Sequence, residues 1–241
     1  MIQTENLTKR FGPKTAVDSL TIEVPPGEFF CFLGPNGAGK TTTIKMLTGL
    51  LLPTAGRAIV GGYDIQRDPI EAKRLIGYIP DHPFLYEKLT GREFMRFVAG
   101  LYRLPHAANG KASDLLDQFE IGGVADQLIE NYSHGMRQKL SFASCFLHEP
   151  SIVIVDEPWV GLDPKNIRFV KDFLREKTRE GVTVFMSTHT LSIAEEVADR
   201  IGIIYGGRLR HVGSVADIKA LSKEQGTLED VFLELTQPEE L

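Results

Sequence analysis

At 241 residues the chain is long enough for one large domain or one domain with an inserted lobe. An apolar fraction of 42% supports a sizeable core, and a net charge of −5 leaves no basic excess for a dominant nucleic-acid footprint. The start, Met1-Ile2-Gln3-Thr4-Glu5, lacks a charged segment followed by an apolar one, so no signal peptide is expected, and no apolar run approaches the roughly 18 residues of a spanning helix.

The first segment, to about Val60, reads as β-rich: Ile2 to Leu7, Val17 to Val24 and Arg57 to Val60 are short, half-polar strand candidates between Gly and Pro. Phe29 to Leu33 is apolar throughout, and Leu75 to Ile79, Ser151 to Val155, Val182 to Met186 and Arg200 to Tyr205 are nearly so. Such runs suit strands of a parallel sheet buried on both faces. Between them lie periodic apolar faces, Ile167, Val170, Phe173 and Leu174 in one helix and Leu191, Ala194, Val197 and Ala198 in another. This alternation predicts an α/β layered core. It breaks from about His82 to Leu147, where helix follows helix: one opened by the capping box Thr90-x-x-Glu93, one near Ala112 to Phe119, and one from Gly135 to Leu147. A helical lobe inserted into the core is expected there. Thr227-x-x-Asp230 starts a last short helix to Leu235. Cys31 and Cys145, both in apolar surroundings, are expected to be reduced core residues.

The chemistry begins at Gly34-Pro35-Asn36-Gly37-Ala38-Gly39-Lys40-Thr41, which follows the Phe29 to Leu33 run and leads into a helix from Thr42 to Thr48. A glycine-rich loop between strand and helix turns successive N–H groups inward to cradle phosphates, and the helix N-terminus adds a positive dipole end. Lys40 brings a mobile charge to the outer phosphates, and the Thr41 hydroxyl suits Mg²⁺. Ser151 to Val155 then ends in Asp156-Glu157-Pro158. Carboxylates at the C-terminal end of a strand sit where α/β sheets bind ligands. Asp156 can hold Mg²⁺ and Glu157 can polarise an attacking water.

With these residues in view, the chain resembles an ATP-binding cassette (ABC) transporter ATPase of bacterial exporter type, over nearly its whole length. Gly34 to Thr41 is similar to Walker A, and Asp156-Glu157 to the end of Walker B. Asn131-Tyr132-Ser133-His134-Gly135-Met136-Arg137-Gln138 resembles the family signature, Gly161-Leu162-Asp163-Pro164 the D-loop, and Ser187-Thr188-His189 the switch. Phe11 lies where the family stacks an aromatic on adenine. Asp163 before Pro164, and Ser133 before His134, are also good helix N-caps.

The resemblance implies a P-loop NTPase (RecA-like) core with an N-terminal antiparallel β subdomain and an inserted α-helical lobe, as one domain over 1–241. Residues 1–81 and 148–241 would form the nucleotide-binding core, and 82–147 the lobe with the signature. It implies Mg²⁺ and ATP as cofactors. The nucleotide would be held by Phe11, Gly34, Pro35, Asn36, Gly37, Ala38, Gly39, Lys40, Thr41 and Thr42, and by Ser133, His134 and Gly135 acting on a partner's ATP. Thr41, Asp81 and Asp156 would face the metal. Glu157, His189, Lys40 and Asp81 would serve hydrolysis.

Two departures stand out. Asp81 replaces the family's usual Gln in Tyr78-Ile79-Pro80-Asp81, keeping an oxygen ligand and losing an amide donor. His134 puts a ring where the signature usually has glycine.

In the family the chain resembles, the signature of one cassette closes over ATP held by another, so the resemblance implies that a chain with one of each motif pairs with a second cassette, most simply its own copy, and with integral membrane permease subunits encoded separately and docked beside Asp81, where Pro83, Phe84, Leu85 and Tyr86 follow one another. The expected place is then the cytoplasmic face of the cell membrane, and no nucleic-acid partner is expected. The tail Gly226 to Thr236 resembles that of bacterial exporter ATPases. Two other readings stand beside this one: a soluble ABC-type ATPase acting on a non-membrane partner, and a nucleotide-binding regulator without turnover.

Overall fold

The structure, a computed structural model, describes residues 1–105, 108–159, 162–221 and 227–236. The chain opens with β1 (Ile2–Phe11), β2 (Lys14–Val24) and β3 (Phe29–Leu33), then α1 (Lys40–Leu47), β4 (Ala55–Val60), β5 (Tyr63–Asp64), α2 (Pro69–Leu75) and β6 (Ile76–Ile79). Next come α3 (Gly91–Leu101), α4 (Ala108–Gln118) and α5 (His134–Cys145), with two single 3-10 turns between α4 and α5. The chain returns with β7 (Ile152–Asp156), α6 (Pro164–Arg179), β8 (Thr183–Thr188), α7 (Leu191–Val197), β9 (Arg200–Tyr205), β10 (Arg208–Gly213), α8 (Val215–Lys219) and α9 (Leu228–Leu235).

Two sheets result. The strands that read as half-polar form a four-stranded antiparallel sheet in the order β2-β1-β4-β5. The apolar runs form a six-stranded sheet, β10-β9-β3-β8-β7-β6, parallel except for the edge strand β10. Alternation along its strands divides the interior into two cores. Phe29, Cys31 and Leu33 of β3, with Val153 and Val155 of β7, face the helices α4, α5, α6 and α7. Phe30 and Phe32, with Ile152 and Ile154, face the antiparallel sheet and α1. The strands read as continuous hydrophobic runs because both faces are covered.

The helical interval from α3 to α5 contains no strand among the described residues, only an isolated bridge between Thr90 and Leu128. The capping box forms: Thr90 Oγ1 accepts from the Glu93 N–H at 3.2 Å, and the Glu93 carboxylate accepts from the Thr90 N–H at 2.8 Å. The same device opens α9 at Thr227 and Asp230. Phe119, fully buried at the end of α4, joins lobe to core. Its ring stacks on Phe142 of α5 at 5.9 Å and meets Phe173 of α6 edge-on at 5.0 Å. Cys31 and Cys145 are both free and buried, and burial pushes both thiol pKa values up, so neither is reactive. Among the described residues, no helix is long and apolar enough to cross a membrane.

The structure corrects several boundaries. Leu75 ends α2 and begins no strand; the seven residues from Pro69 follow Asp68, an N-cap with Pro at N1. β8 runs on to Thr188, because its last two residues are buried although polar. β1 reaches Phe11, so this aromatic stands at a strand end. β5, α2, β10 and α8 are elements the periodicity did not announce: they are short, and β10 is a half-polar edge strand.

Phe119→Ala should cost about 3–5 kcal/mol of stability, the usual loss for a buried aromatic. Urea unfolding followed by far-ultraviolet circular dichroism measures it.

Candidate active site

The site is assembled by strand register. Leu33 at the end of β3 pairs with Thr188 at the end of β8, and Asp156 at the end of β7 pairs with Ser187. Three chains therefore leave the same edge of the sheet together: the Gly34 to Thr41 loop, Glu157, and His189.

The loop's shape depends on two glycines. A Cβ on Gly34 would lie 2.4 Å from the Ile204 carbonyl oxygen. One on Gly39, whose φ is 112°, would lie 2.6 Å from the Ala16 carbonyl oxygen. No side chain fits either place. Across the loop, the Gly207 N–H donates to the Ala38 carbonyl at 3.0 Å, so the β9–β10 turn braces it. The result is a cavity of about 370 Å³ lined by Phe11, Asn36, Gly37, Gly39, Lys40, Thr41, Thr42, Asp81 and Glu157, together with Lys14 and Ala16. Gly34, Pro35 and Ala38, expected at the nucleotide, do not line it.

Lys40 is buried at the centre. Its Nζ donates to the Gly34 carbonyl at 2.7 Å and the Pro35 carbonyl at 3.2 Å, and lies 3.3 Å from Glu157 Oε1. This last contact is a charge contact whose geometry falls short of a hydrogen bond, and Oε1 has no donor. His189 Nδ1 lies 2.9 Å from the other oxygen, Oε2. Glu157 holds φ at 44°, in the left-handed region, which turns the side chain away from the strand axis toward both partners.

Asp156 is fully buried. Ser187 Oγ donates to its Oδ1 and accepts the Glu157 N–H at 3.2 Å, so one hydroxyl holds both acidic residues. Oδ2 has no donor. Burial holds the Asp156 carboxyl above its ordinary range; hydrogen bonds from Ser187 and Thr41 oppose this, and the nearby charges of Asp81 and Glu157 add to it. A buried carboxylate with a bare oxygen and a threonine hydroxyl beside it suit a hard divalent cation that takes its other ligands from phosphate and water, since no group of three or more Asp, Glu, His or Cys among the described residues is placed to hold a metal by itself.

Asp81 lies at the cavity's edge, 45% exposed, and accepts from the His82 N–H at 2.9 Å. It belongs to the same electrostatic group: together with Asp156 and burial it raises the pKa of the Tyr78 phenol. Phe11 is half exposed, with Lys9 Nζ 5.2 Å from its ring centroid, so one aromatic face is open to a planar ligand. Lys14, its register partner across the β1–β2 turn, adds a charge at this end that the sequence reading did not pick out. Ser187 was read only as part of a motif. Its signal was a hydroxyl at the end of a buried strand, and its role depends on a register no local pattern shows.

Ser133, His134 and Gly135 stand elsewhere. Ser133 caps α5, accepting the Met136 N–H at 3.3 Å. With Met136, Lys139, Asp163 and Asn166, the three line a second cavity, and none of them lines the phosphate-loop cavity. Asp163 caps α6, accepting the Asn166 N–H at 2.8 Å. Gly161 of the D-loop pattern and Gly226 of the tail lie outside the described residues.

Residues 17–160 match the family described as ABC transporter. The chain belongs to the ABC transporter family. It is 38% identical over 240 residues to the probable multidrug ABC transporter ATP-binding protein YbhF of Escherichia coli K12, covering 98% of this chain and 41% of that protein. It is 36% identical over 219 residues to the linearmycin resistance ATP-binding protein LnrL of Bacillus subtilis 168, covering 90% of this chain and 70% of that one. A solved ATP-binding subunit of an ABC transporter superposes with a TM-score of 0.92 at 33% identity, covering 98% of this chain and 100% of the other. The fold is that of an ABC ATPase cassette: the P-loop NTPase core, the antiparallel β subdomain and the helical lobe.

The electrostatics of this ABC cassette have a measurable sign. A carboxyl whose folded pKa is raised stabilises the fold only at low pH, and the contribution is lost as pH rises through that pKa. At neutral pH the ionised Asp156 is therefore a cost that a bound cation would relieve. Asp156→Asn should stabilise the metal-free cassette by about 0.5–2 kcal/mol at neutral pH, and this gain should fade toward acid. It should also abolish any stabilisation by Mg²⁺. Thermal melts with and without the metal, across pH, check both effects.

Proposed function

We propose that this chain is the ATP-binding and ATP-hydrolysing subunit of an ABC transporter, closing in pairs around two Mg-ATP to drive export through separate membrane subunits. The observation that carries the reading is the position of Glu157, with the phosphate-loop Lys40 against one oxygen and His189 against the other. A triphosphate entering the loop takes the N–H groups of Gly37 to Thr41 and draws Lys40 to its outer oxygens. That leaves Glu157 held by His189 and by the Ser187 clamp on its backbone, facing the water to be activated. Mg²⁺, held by Thr41 and Asp156 with Asp81 at the edge, would when bound neutralise charge on the phosphates. Phe11 offers the face on which adenine stacks.

The second cavity supports the pairing. Ser133, His134 and Gly135 open a capped helix whose N-terminus can receive an anion, yet they do not border this chain's own phosphate loop. On this reading they complete the site of a second copy. Closure is then a population shift biased by phosphate contacts, and hydrolysis releases it.

The membrane partner fits the apolar side of the lobe. Phe84 is 86% exposed, and Tyr86 and Leu101 are also exposed, with Tyr86 meeting Phe97 edge-on at 5.1 Å. Beside them a groove of about 590 Å³ runs between lobe and core, lined by Ile70, Leu101, Tyr102 and His148 among others. A patch of this kind marks an interaction site. It would hold the chain at the cytoplasmic face of the cell membrane. The export direction draws on the multidrug and linearmycin-resistance names of its relatives.

Glu157→Gln should keep ATP binding and lower hydrolysis by about 10²–10⁴-fold, because an amide cannot act as base. In Mg-ATP it should elute as a dimer on size exclusion; a monomer there counts against the paired mechanism. Asp81→Ala should raise the Mg²⁺ concentration needed for half-maximal turnover more than it weakens nucleotide binding. An unchanged Mg²⁺ titration would place this side chain outside the metal shell.

A further inference from the structure

Trp159 stands two residues beyond Glu157 and is the chain's one tryptophan. It is buried in the core that faces the lobe, and its indole Nε1–H has no acceptor. Gln138 reaches the residue before this tryptophan, Pro158, from the helical lobe. It is buried on α5, the helix that begins at the Ser133 cap. Its Nε2 donates to the Pro158 carbonyl at 3.4 Å, a long bond, and its Oε1 has no donor. That carbonyl sets the orientation of the amide, since turning it over would bring two acceptors face to face. The contact between α5 and the segment leaving Glu157 thus holds a buried acceptor without a donor and, one residue past the shared carbonyl, a buried donor without an acceptor. Each carries a desolvation cost that a hydrogen bond between them would remove.

The segment has a reason to move. It leaves β7 through Glu157, a non-glycine residue in the left-handed region, and Glu157 is drawn toward Lys40. When phosphate takes Lys40, that attraction is lost. Pro158 and Trp159 follow Glu157 directly, so a change there is passed to the indole.

We infer that Gln138 and Trp159 are a pair of positioning residues: in the ATP-bound cassette the indole N–H donates to Gln138 Oε1, locking α5 to Pro158 and Trp159, the residues that follow Glu157. Occupancy of the phosphate loop is thereby passed to Ser133 and Gly135 on the surface offered to the second copy. The inference rests on the reading of this chain as a hydrolysing cassette.

The single tryptophan gives a single indole N–H resonance in isotope-labelled protein. In the full unaltered chain, a saturating non-hydrolysable ATP analogue with Mg²⁺ should shift that resonance downfield and slow its solvent exchange about tenfold, and Mg-ADP should not. Adding Gln138→Leu, which keeps the bulk and removes the acceptor, should abolish the shift. In otherwise unaltered protein, Trp159→Phe should lower kcat several-fold with ATP affinity unchanged. Equilibrium ATP binding on the same samples separates the two levels of the argument. Absence of binding overturns the cassette reading and the lock with it. Binding with an unmoved indole resonance, as for orphans served by trapped water or by packing alone, overturns the lock and leaves the cassette reading standing. So does the same shift in Gln138→Leu.

Discussion

Everything at the active site depends on the parallel register of β3, β8 and β7. Parallel strands carry side chains outward in step, and their C-terminal ends finish at one edge of the sheet. Because Leu33 pairs with Thr188 and Asp156 with Ser187, the phosphate loop, the acidic pair and His189 emerge within reach of one another. Slipping β8 by one residue would turn Ser187 to the opposite face and break its bonds to Asp156 and the Glu157 N–H. Both faces of these strands are buried in apolar cores, and that two-sided packing makes such a slip costly.

The register concentrates negative charge. Asp156, Glu157 and Asp81 lie near one another; against Glu157 the site sets Lys40, deep in the loop, and His189 at the rim, while His82 Nδ1 lies 3.1 Å from Asp81 and Lys14 lines the same cavity. A group of buried and half-buried carboxylates is unfavourable unless something positive completes it. Hydrogen bonds from Ser187 and Thr41 offset part of that cost for Asp156, and the bare Oδ2 shows where the remainder is left. The site is thus set for a cation and a polyanion together.

The lobe carries a second candidate site apart from the phosphate loop. Its helix α5 is tied to the core by Gln138 at the Pro158 carbonyl, by the Phe119 aromatic contacts, and by Glu120, which accepts from Lys139 of α5 and Lys165 of α6 at 3.0 Å each. These links join the capped end of α5 to the chain beyond Glu157. They do not bring Ser133 to its own phosphate loop, which is the shape-based support for the proposed pairing with a second copy.

The local pattern of residues went far here. The loop from Gly34 to Thr41 was legible from its glycine spacing between an apolar strand and a helix, although the carbonyls of Ile204 and Ala16 that exclude side chains there are supplied by the fold, and the carboxylates after Val155 follow a strand too apolar to lie anywhere but inside. The capping boxes at Thr90 and Thr227 and the caps at Ser133 and Asp163 formed as read, because capping is decided within four residues. Periodicity separated the two kinds of strand and placed the helical interval. Short or half-polar pieces such as β5, α2 and β10 stayed below it, since too few residues carry the pattern. What only the tertiary structure decided is distance between residues far apart in sequence: that Ser187 clamps both Asp156 and Glu157, that Lys40 and His189 hold opposite oxygens of one carboxylate, and that Gln138 reaches the Pro158 carbonyl next to Trp159. Those facts depend on strand order and register, which are set by the packing of whole sheets and helices, and no window of neighbouring residues contains them.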